Sequence, residues 1–183
     1  MSQKIVGITG RKFNGKDTLG KYFIDELGYK KLAFADSLKE GCRCIFGFTD
    51  EQLYGEKKEE IDEFWKATPR KVLQFVGTEL FRNQLAEIMP HLGHDIWVEV
   101  VRKKILDNPD TNFVITDVRF PNECEIIKKM GGIIIRVNRD SVNTTVDLHQ
   151  SEIEIEKLDV DTVIQNDGSI DDLYVKLRAY LTS

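Results

Sequence analysis

Between an apolar run, Lys4 to Thr9, and a stretch in which Leu19, Phe23 and Leu27 recur every four residues, the chain carries Gly10, Gly15 and Lys16 in the spacing Gly-x4-Gly-Lys. A strand has to end there, a tight loop has to form and a helix has to begin, with Gly28 as its stop. In that context the spacing predicts a phosphate-binding loop. The glycines let backbone N–H groups curl around an anion, the helix N-terminus adds partial positive charge, and Lys16 can reach the β- and γ-phosphates of a nucleotide. The usual motif has Ser or Thr after the lysine, whereas Asp17 stands there and Thr18 follows. Thr18, or Asp17 directly or through water, is therefore expected on the Mg²⁺ side, and the residues do not decide between them.

The rest of the 183 residues repeats the strand–helix alternation. Tyr29 to Phe34, Phe113 to Thr116, Gly132 to Val137 and Thr162 to Gln165 read as four more strands, the central ones rich in β-branched residues. Asp36 or Ser37 is expected to cap a helix running toward Phe46, and Thr49 with Gln52 has capping-box spacing for a short helix before Gly55. Thr68-Pro69 opens a helix whose apolar face is Val72, Leu73, Val76 and Leu80. Further helices are expected from Asp95 through Ile105, over Glu123 to Lys129, and after Ser169, which with Asp172 forms a capping-box variant. Five strands alternating with helices predict an α/β fold with a parallel sheet covered on both faces. Ligands on such sheets sit beyond the carboxyl ends of the strands. The segment after the third strand matters for that reason: Asp117 stands where an acid would hold Mg²⁺ or its water shell, and Arg119 would face the phosphates from the adjoining loop.

Composition removes several function classes. A net charge of -5 opposes bulk attraction to a nucleic acid or an anionic membrane, so phosphate recognition has to be local. The longest apolar runs, such as Ile133 to Ile135, fall far short of the ~20 residues that span a bilayer, and no signal-peptide pattern opens the chain. A cytoplasmic protein is expected, in a host cytoplasm if the source is viral. Cys42, Cys44 and Cys124 have no zinc-ribbon spacing and read as unbridged thiols, and His91-x-x-His94 has no second pair, so bound zinc is rejected.

Taken in order, the motifs resemble those of the bacteriophage-type deoxynucleoside monophosphate kinases, within the P-loop nucleoside monophosphate kinases. The resemblance runs over almost the whole chain and rests on Gly10 to Thr18, on Phe34-Ala35-Asp36-Ser37-Leu38-Lys39, and on Thr68-Pro69-Arg70 with Gln74 and Gly77-Thr78-Glu79. It continues through Asp95-Ile96-Trp97, Asp117 to Glu123, His149-x-Ser151-Glu152 and Asn166-Asp167-Gly168. It implies a three-layer P-loop NTPase fold in one domain. The core would be about 1–35 and 96–183, a helical substrate-binding insertion about 36–95, and a short lid about 138–152. Gly10, Arg11, Asn14, Gly15, Lys16, Asp17 and Thr18 would hold ATP, and Asn166, Asp167 and Gly168 resemble the loop that lies against its adenine in related kinases. Asp17, Thr18 and Asp117 would face Mg²⁺.

The resemblance places Asp36, Lys39, Arg70, Gln74, Thr78, Arg82, Asp95, Trp97, Arg119 and Glu152 on the monophosphate side. Asp36 would orient the acceptor without acting as a base, since an ionised phosphate oxygen needs little deprotonation. Arg70 and Arg82 have separate support, because a guanidinium fork matches a phosphate. They are twelve residues apart, roughly 120° apart on an ideal helix, so one phosphate need not touch both. Lys16, Arg119 and Arg139 are the expected catalytic cations. Arg136, inside the strand run, is more simply a structural ion-pair partner. The implied reaction is ATP-dependent phosphoryl transfer to a deoxynucleoside 5'-monophosphate, with a homodimer left open. The residues also leave open another small phosphorylated acceptor, as in dephospho-coenzyme A kinase or phosphomevalonate kinase, and a slow nucleotide-dependent regulatory module.

Overall fold

Each strand of the sheet is a short run flanked by polar or glycine-containing loops, and in β1 (Ile5–Thr9) all five residues are buried. The computed structural model describes residues 3–139 and 155–182. Most of the expected lid, with His149, Ser151 and Glu152, lies outside the described residues. After β1 come α1 (Lys16–Asp25), β2 (Lys30–Leu32), α2 (Asp36–Phe46), α3 (Asp50–Leu53) and a 3₁₀ turn (Glu56–Glu59). Next are α4 (Pro69–Gln74), a π-helical stretch (Phe75–Gln84), α5 (Leu85–Ile88) and α6 (Ile96–Leu106). The chain continues with β3 (Phe113–Ile115), α7 (Pro121–Lys129), β4 (Ile133–Asn138), β5 (Thr162–Gln165) and a C-terminal helix, α8 (Ile170–Leu181). Two compact units result, residues 1–33 with 102–183, and residues 34–101. Among the described residues no helix is long and apolar enough to cross a membrane.

The first unit contains the sheet, ordered β2-β3-β1-β4-β5 and parallel throughout. β1 lies at its centre because Ile5 to Gly7 pair with Phe113 to Ile115 on one side and Val6 to Thr9 with Ile133 to Arg136 on the other. One face packs Leu19, Tyr22 and Phe23 of α1 and Leu173 and Leu177 of α8 against Val6, Ile8, Ile135, Val137 and Ile164. Each such fully buried side chain contributes about 1.5–3 kcal/mol. On the other face lies α7: a Cβ at Gly7 would come within 2.6 Å of Ile134 and 2.9 Å of Ile127. Helices on both faces of one parallel sheet make the expected three-layer α/β architecture. β2 is shorter than the expected Tyr29–Phe34, since it is an edge strand paired only to the three residues of β3.

α8 starts at a reciprocal cap. The Ser169 hydroxyl accepts the Asp172 N–H at 3.1 Å, and the Asp172 carboxylate accepts the Ser169 N–H at 2.9 Å. The Ser169 hydroxyl first, and its backbone N–H second, hold the Asp172 carboxyl below the ordinary carboxylate range. A depressed folded pKa contributes stability that is complete above the unfolded value near 3.9 and is lost as pH falls through the folded one. Loss of the N-cap hydroxyl in Ser169→Ala is expected to cost about 1 kcal/mol at neutral pH. The difference in melting temperature between the two proteins should narrow as pH falls below about 4, where the Asp172 carboxylate is protonated; a difference that stays constant would show that the carboxylate half of the cap carries none of the effect.

The second unit, residues 34–101, has its own core of Cys42, Phe48, Leu53, Leu73 and Val76, with Leu38, Phe46 and Val72 against it. Thr68 caps α4 by accepting the Lys71 N–H at 3.2 Å, with Pro69 at the first helical position. Neither Asp36 nor Ser37 caps α2: Ala35 holds the cap position in helical conformation without a side-chain bond, and Asp36 is the first helical residue. The expected face Val72–Val76–Leu80 also breaks, because Leu80 is exposed. From Phe75 the helix widens to the π form, in which each ring takes in an extra residue and four-residue spacing no longer returns to one face. The ideal-helix angle between Arg70 and Arg82 does not apply for the same reason.

Candidate active site

The loop after β1 is shaped by two glycines that no other residue could replace without strain. Gly10 has φ +144°, and a Cβ there would lie 2.4 Å from the Val137 carbonyl oxygen; Gly15 has φ +102°, and a Cβ would lie 2.4 Å from Asn166 Nδ2. Between them Phe13 also has positive φ, 66°, with its ring exposed. The loop is fastened from both sides. Buried Asn14 donates from Nδ2 to the Val137 carbonyl at 2.9 Å, and Asn166 donates from Nδ2 to the Asn14 carbonyl at 2.8 Å. The Asn166 backbone N–H in turn donates to the Asn138 carbonyl at 2.7 Å. Asn14 and Asn166, expected at the nucleotide, thus have their side-chain amides engaged in holding the loop. Asp167 and Gly168 are exposed beside them.

Lys16 is the first residue of α1, and its ammonium donates to the Arg11 carbonyl at 2.8 Å across the loop. The Arg11 guanidinium pairs with Glu156. Asp17 is strongly exposed, 3.8 Å from the Lys31 ammonium on β2, while Thr18 is half-buried with its carbonyl accepting the Tyr174 hydroxyl at 3.4 Å. Asp117 follows on a segment that lies against α1: a Cβ on Gly20 would meet Thr116 Cγ2 at 2.5 Å. Asp17, Thr18 and Asp117 are all hard oxygen donors, the ligand type Mg²⁺ prefers, and one or two carboxylates suffice where phosphates complete the shell. The chemistry of this donor set fits the ion.

The cations sort clearly. Arg119 is exposed; its backbone N–H and that of Phe120 donate to buried Glu123 at 2.7 and 3.1 Å. Glu123 is a structural residue whose sequence signal is a capping one: a glutamate three positions after Phe120, with Pro121 at the helix start. Arg136 donates to the Ile155 and Leu158 carbonyls at 2.9 and 2.8 Å, which makes it a brace for the turn at 155–158. Arg139 is exposed, just beyond β4. The pairing of Arg11 with Glu156 is encoded by no local spacing.

In the second unit, Asp36 and Lys39 lie in the first turn of α2, with the Lys39 ammonium 4.0 Å from the centroid of the Tyr54 ring. Arg70, exposed, pairs through Nε with Glu59. Gln74 ends α4 and Thr78 lies in the π stretch, both exposed, while Arg82 is half-buried. Asp95 precedes α6, and the Trp97 indole N–H donates to the Gly77 carbonyl at 2.9 Å. Two of the thiols are buried and held protonated: burial pushes Cys42 up, and burial followed by the Glu123 charge pushes Cys124 up to about 11. Among the described residues no three metal-ligating side chains cluster.

The rest of the chain identifies its family. The family model for deoxynucleotide monophosphate kinase matches residues 43–177. The chain belongs to that family. The phosphate loop at 10–18 lies before the matched stretch, so membership is carried by the remainder of the chain. A putative deoxynucleotide monophosphate kinase of Acanthamoeba polyphaga mimivirus is 40% identical, with 94% of this chain and 93% of that protein covered. The deoxynucleoside-5'-monophosphate kinase of Escherichia phage T5 is 27% identical over 68% of this chain and 72% of its own length. Among solved structures, a dephospho-CoA kinase from Campylobacter jejuni superposes with a TM-score of 0.51 at 19% identity, covering 98% of this chain and 96% of that one. At that identity the likeness shows the fold alone. It is the α/β fold of P-loop kinases, which this deoxynucleotide monophosphate kinase family member shares.

Proposed function

We propose that this chain transfers the γ-phosphoryl group of ATP to the phosphate of a deoxynucleoside 5'-monophosphate, yielding ADP and the deoxynucleoside diphosphate. The observation that carries this reading is the family match over residues 43–177. That stretch holds nearly all the residues expected on the acceptor side, whereas the phosphate loop by itself says only nucleotide. The bond that forms joins an acceptor phosphate oxygen to the γ-phosphorus, and the bond that breaks runs from that phosphorus to the β,γ-bridging oxygen. No covalent enzyme intermediate and no protein base are needed, so positioning and charge neutralisation supply the rate.

Lys16 would leave the Arg11 carbonyl for the β- and γ-phosphates, while the backbone around Gly10 and Gly15 cradles them. Mg²⁺, when bound, neutralises phosphate oxygens, and Asp117 with Thr18 or Asp17 would hold it or its waters. Arg119 and Arg139 would meet charge developing on the transferred group. Asp36, Lys39, Arg70, Gln74, Thr78, Arg82, Asp95 and Trp97 would serve the acceptor, Arg70 through its phosphate. The net charge of -5 supports a small-molecule acceptor over a nucleic acid. The viral relatives support a cytoplasmic site of action, the host's for a viral chain.

A panel of the common nucleoside and deoxynucleoside monophosphates, incubated with ATP and Mg²⁺ and resolved by anion-exchange chromatography, tests the reading. One or more deoxynucleoside diphosphates should accumulate in step with ADP. ADP release that is indifferent to every monophosphate would instead establish a nucleotide-hydrolysing module.

A further inference from the structure

Two side chains from one short segment hold the carbonyls of the π-helical stretch. Trp97 donates its indole N–H to the Gly77 carbonyl at 2.9 Å, and its ring packs on Phe81 at 5.4 Å and 48°. His94 places Nδ1 2.9 Å from the Arg82 carbonyl, where the Nδ1–H tautomer donates. Gly77 and Arg82 are five residues apart, the step of the π pairing, which the bond from the Leu85 N–H to the Leu80 carbonyl displays directly. Runs of π-helix are rare because the widened ring is less favourable than the α form, so a stretch this long needs support from outside its own backbone. The two donors provide it, and Gly77 itself is fixed against α2, since a Cβ there would lie 2.7 Å from Leu38 Cδ2.

We propose that Trp97 is a positioning residue for the acceptor: its indole N–H, with His94, keeps residues 75–84 in the π form and thereby sets the direction of Thr78 and Arg82, without touching the base. The inference rests on the kinase reading above, in which Thr78 and Arg82 serve the monophosphate. Reversion to α geometry would turn each residue beyond Phe75 progressively away from its present direction. The acceptor site would be weakened as a whole, whatever base it holds.

Steady-state kinetics of wild type, Trp97→Phe, Trp97→Leu and Phe81→Leu, with ATP and each deoxynucleoside monophosphate, separate positioning from base stacking. Phenylalanine keeps an aromatic ring and loses only the donor. Trp97→Phe and Trp97→Leu are therefore both expected to raise KM for the monophosphate about tenfold, the worth of one good hydrogen bond, by the same factor for every accepted base. The KM for ATP and kcat should stay within about twofold, and Phe81→Leu, which keeps the donor, should have the smaller effect. Near-normal KM in Trp97→Phe beside a large rise in Trp97→Leu, a base-dependent loss, or an equal rise for ATP would each overturn the proposal. If circular dichroism shows either variant misfolded, replacing the indole with its benzothiophene isostere removes the N–H at constant shape and gives the same readout. A wild type inactive on every monophosphate would bring down the kinase reading and this inference with it; an active wild type with an unaffected donor-less variant would bring down the inference alone.

Discussion

Lys16→Ala is expected to lower kcat on the order of 10²-fold or more while leaving the fold intact. The lysine opens α1 at the mouth of the loop, half-buried, and its ammonium donates to the Arg11 carbonyl. The loop's shape depends on Gly10, Gly15, Asn14 and Asn166, all of which the substitution leaves in place, so it removes a charge and keeps these residues of the frame. A group that follows charge into a transition state affects turnover more than binding. The measurement is kcat at saturating ATP and monophosphate, with circular dichroism and thermal melting beside it. Wild-type turnover in a folded Lys16→Ala protein would take the loop out of the mechanism.

The second large effect belongs to Arg70 and falls on the other substrate. Its guanidinium is exposed and pairs through Nε with Glu59, a contact that does not commit its terminal nitrogens. Surface ion pairs of this kind contribute little to stability, so Arg70→Ala should melt close to wild type. If Arg70 meets the acceptor phosphate, kcat/KM for the monophosphate should fall by about 2 kcal/mol, roughly thirtyfold, with KM for ATP nearly unchanged. Lysine should restore part of the loss, because it supplies charge without the planar two-donor fork. Equal losses for both substrates, or none for the monophosphate, would remove α4 from the acceptor site.

What can be read from the sequence follows the range of the interactions involved. The loop from Gly10 to Thr18, the five strands, and the caps at Thr49, Thr68 and Ser169 are legible because each is specified by residues within a few positions of one another. The π stretch is not: Val72, Val76 and Leu80 fit an α-helix, and the widening depends on donors from His94 and Trp97, outside the pattern. The engagement of Asn166 with Asn14 joins residues 152 positions apart, and the pairing of Arg11 with Glu156 spans nearly as many. Such contacts form only once the sheet has placed β1, β4 and β5 side by side. The cation roles divide similarly. A phosphate loop announces Lys16, whereas the engagement of Arg136 with two carbonyls depends on where the turn at 155–158 comes to lie.

The central position of β1 also governs when this molecule can become itself. Its hydrogen-bonding partners on either side begin at Phe113 and Ile133, so a ribosome producing about 5–20 residues per second leaves the strand without either neighbour for several seconds or more. During that wait residues 34–101, whose compact unit is continuous in sequence, emerge whole and can assemble from contacts close along the chain, the kind that form fastest. The N-terminal strand meanwhile offers two edges of unpaired backbone N–H and C=O groups on a largely apolar segment, the type that recruits other chains. Synthesis, not solution chemistry, therefore presents its most aggregation-prone interval, and any product interrupted before Phe113 carries the phosphate loop with no sheet to hold it.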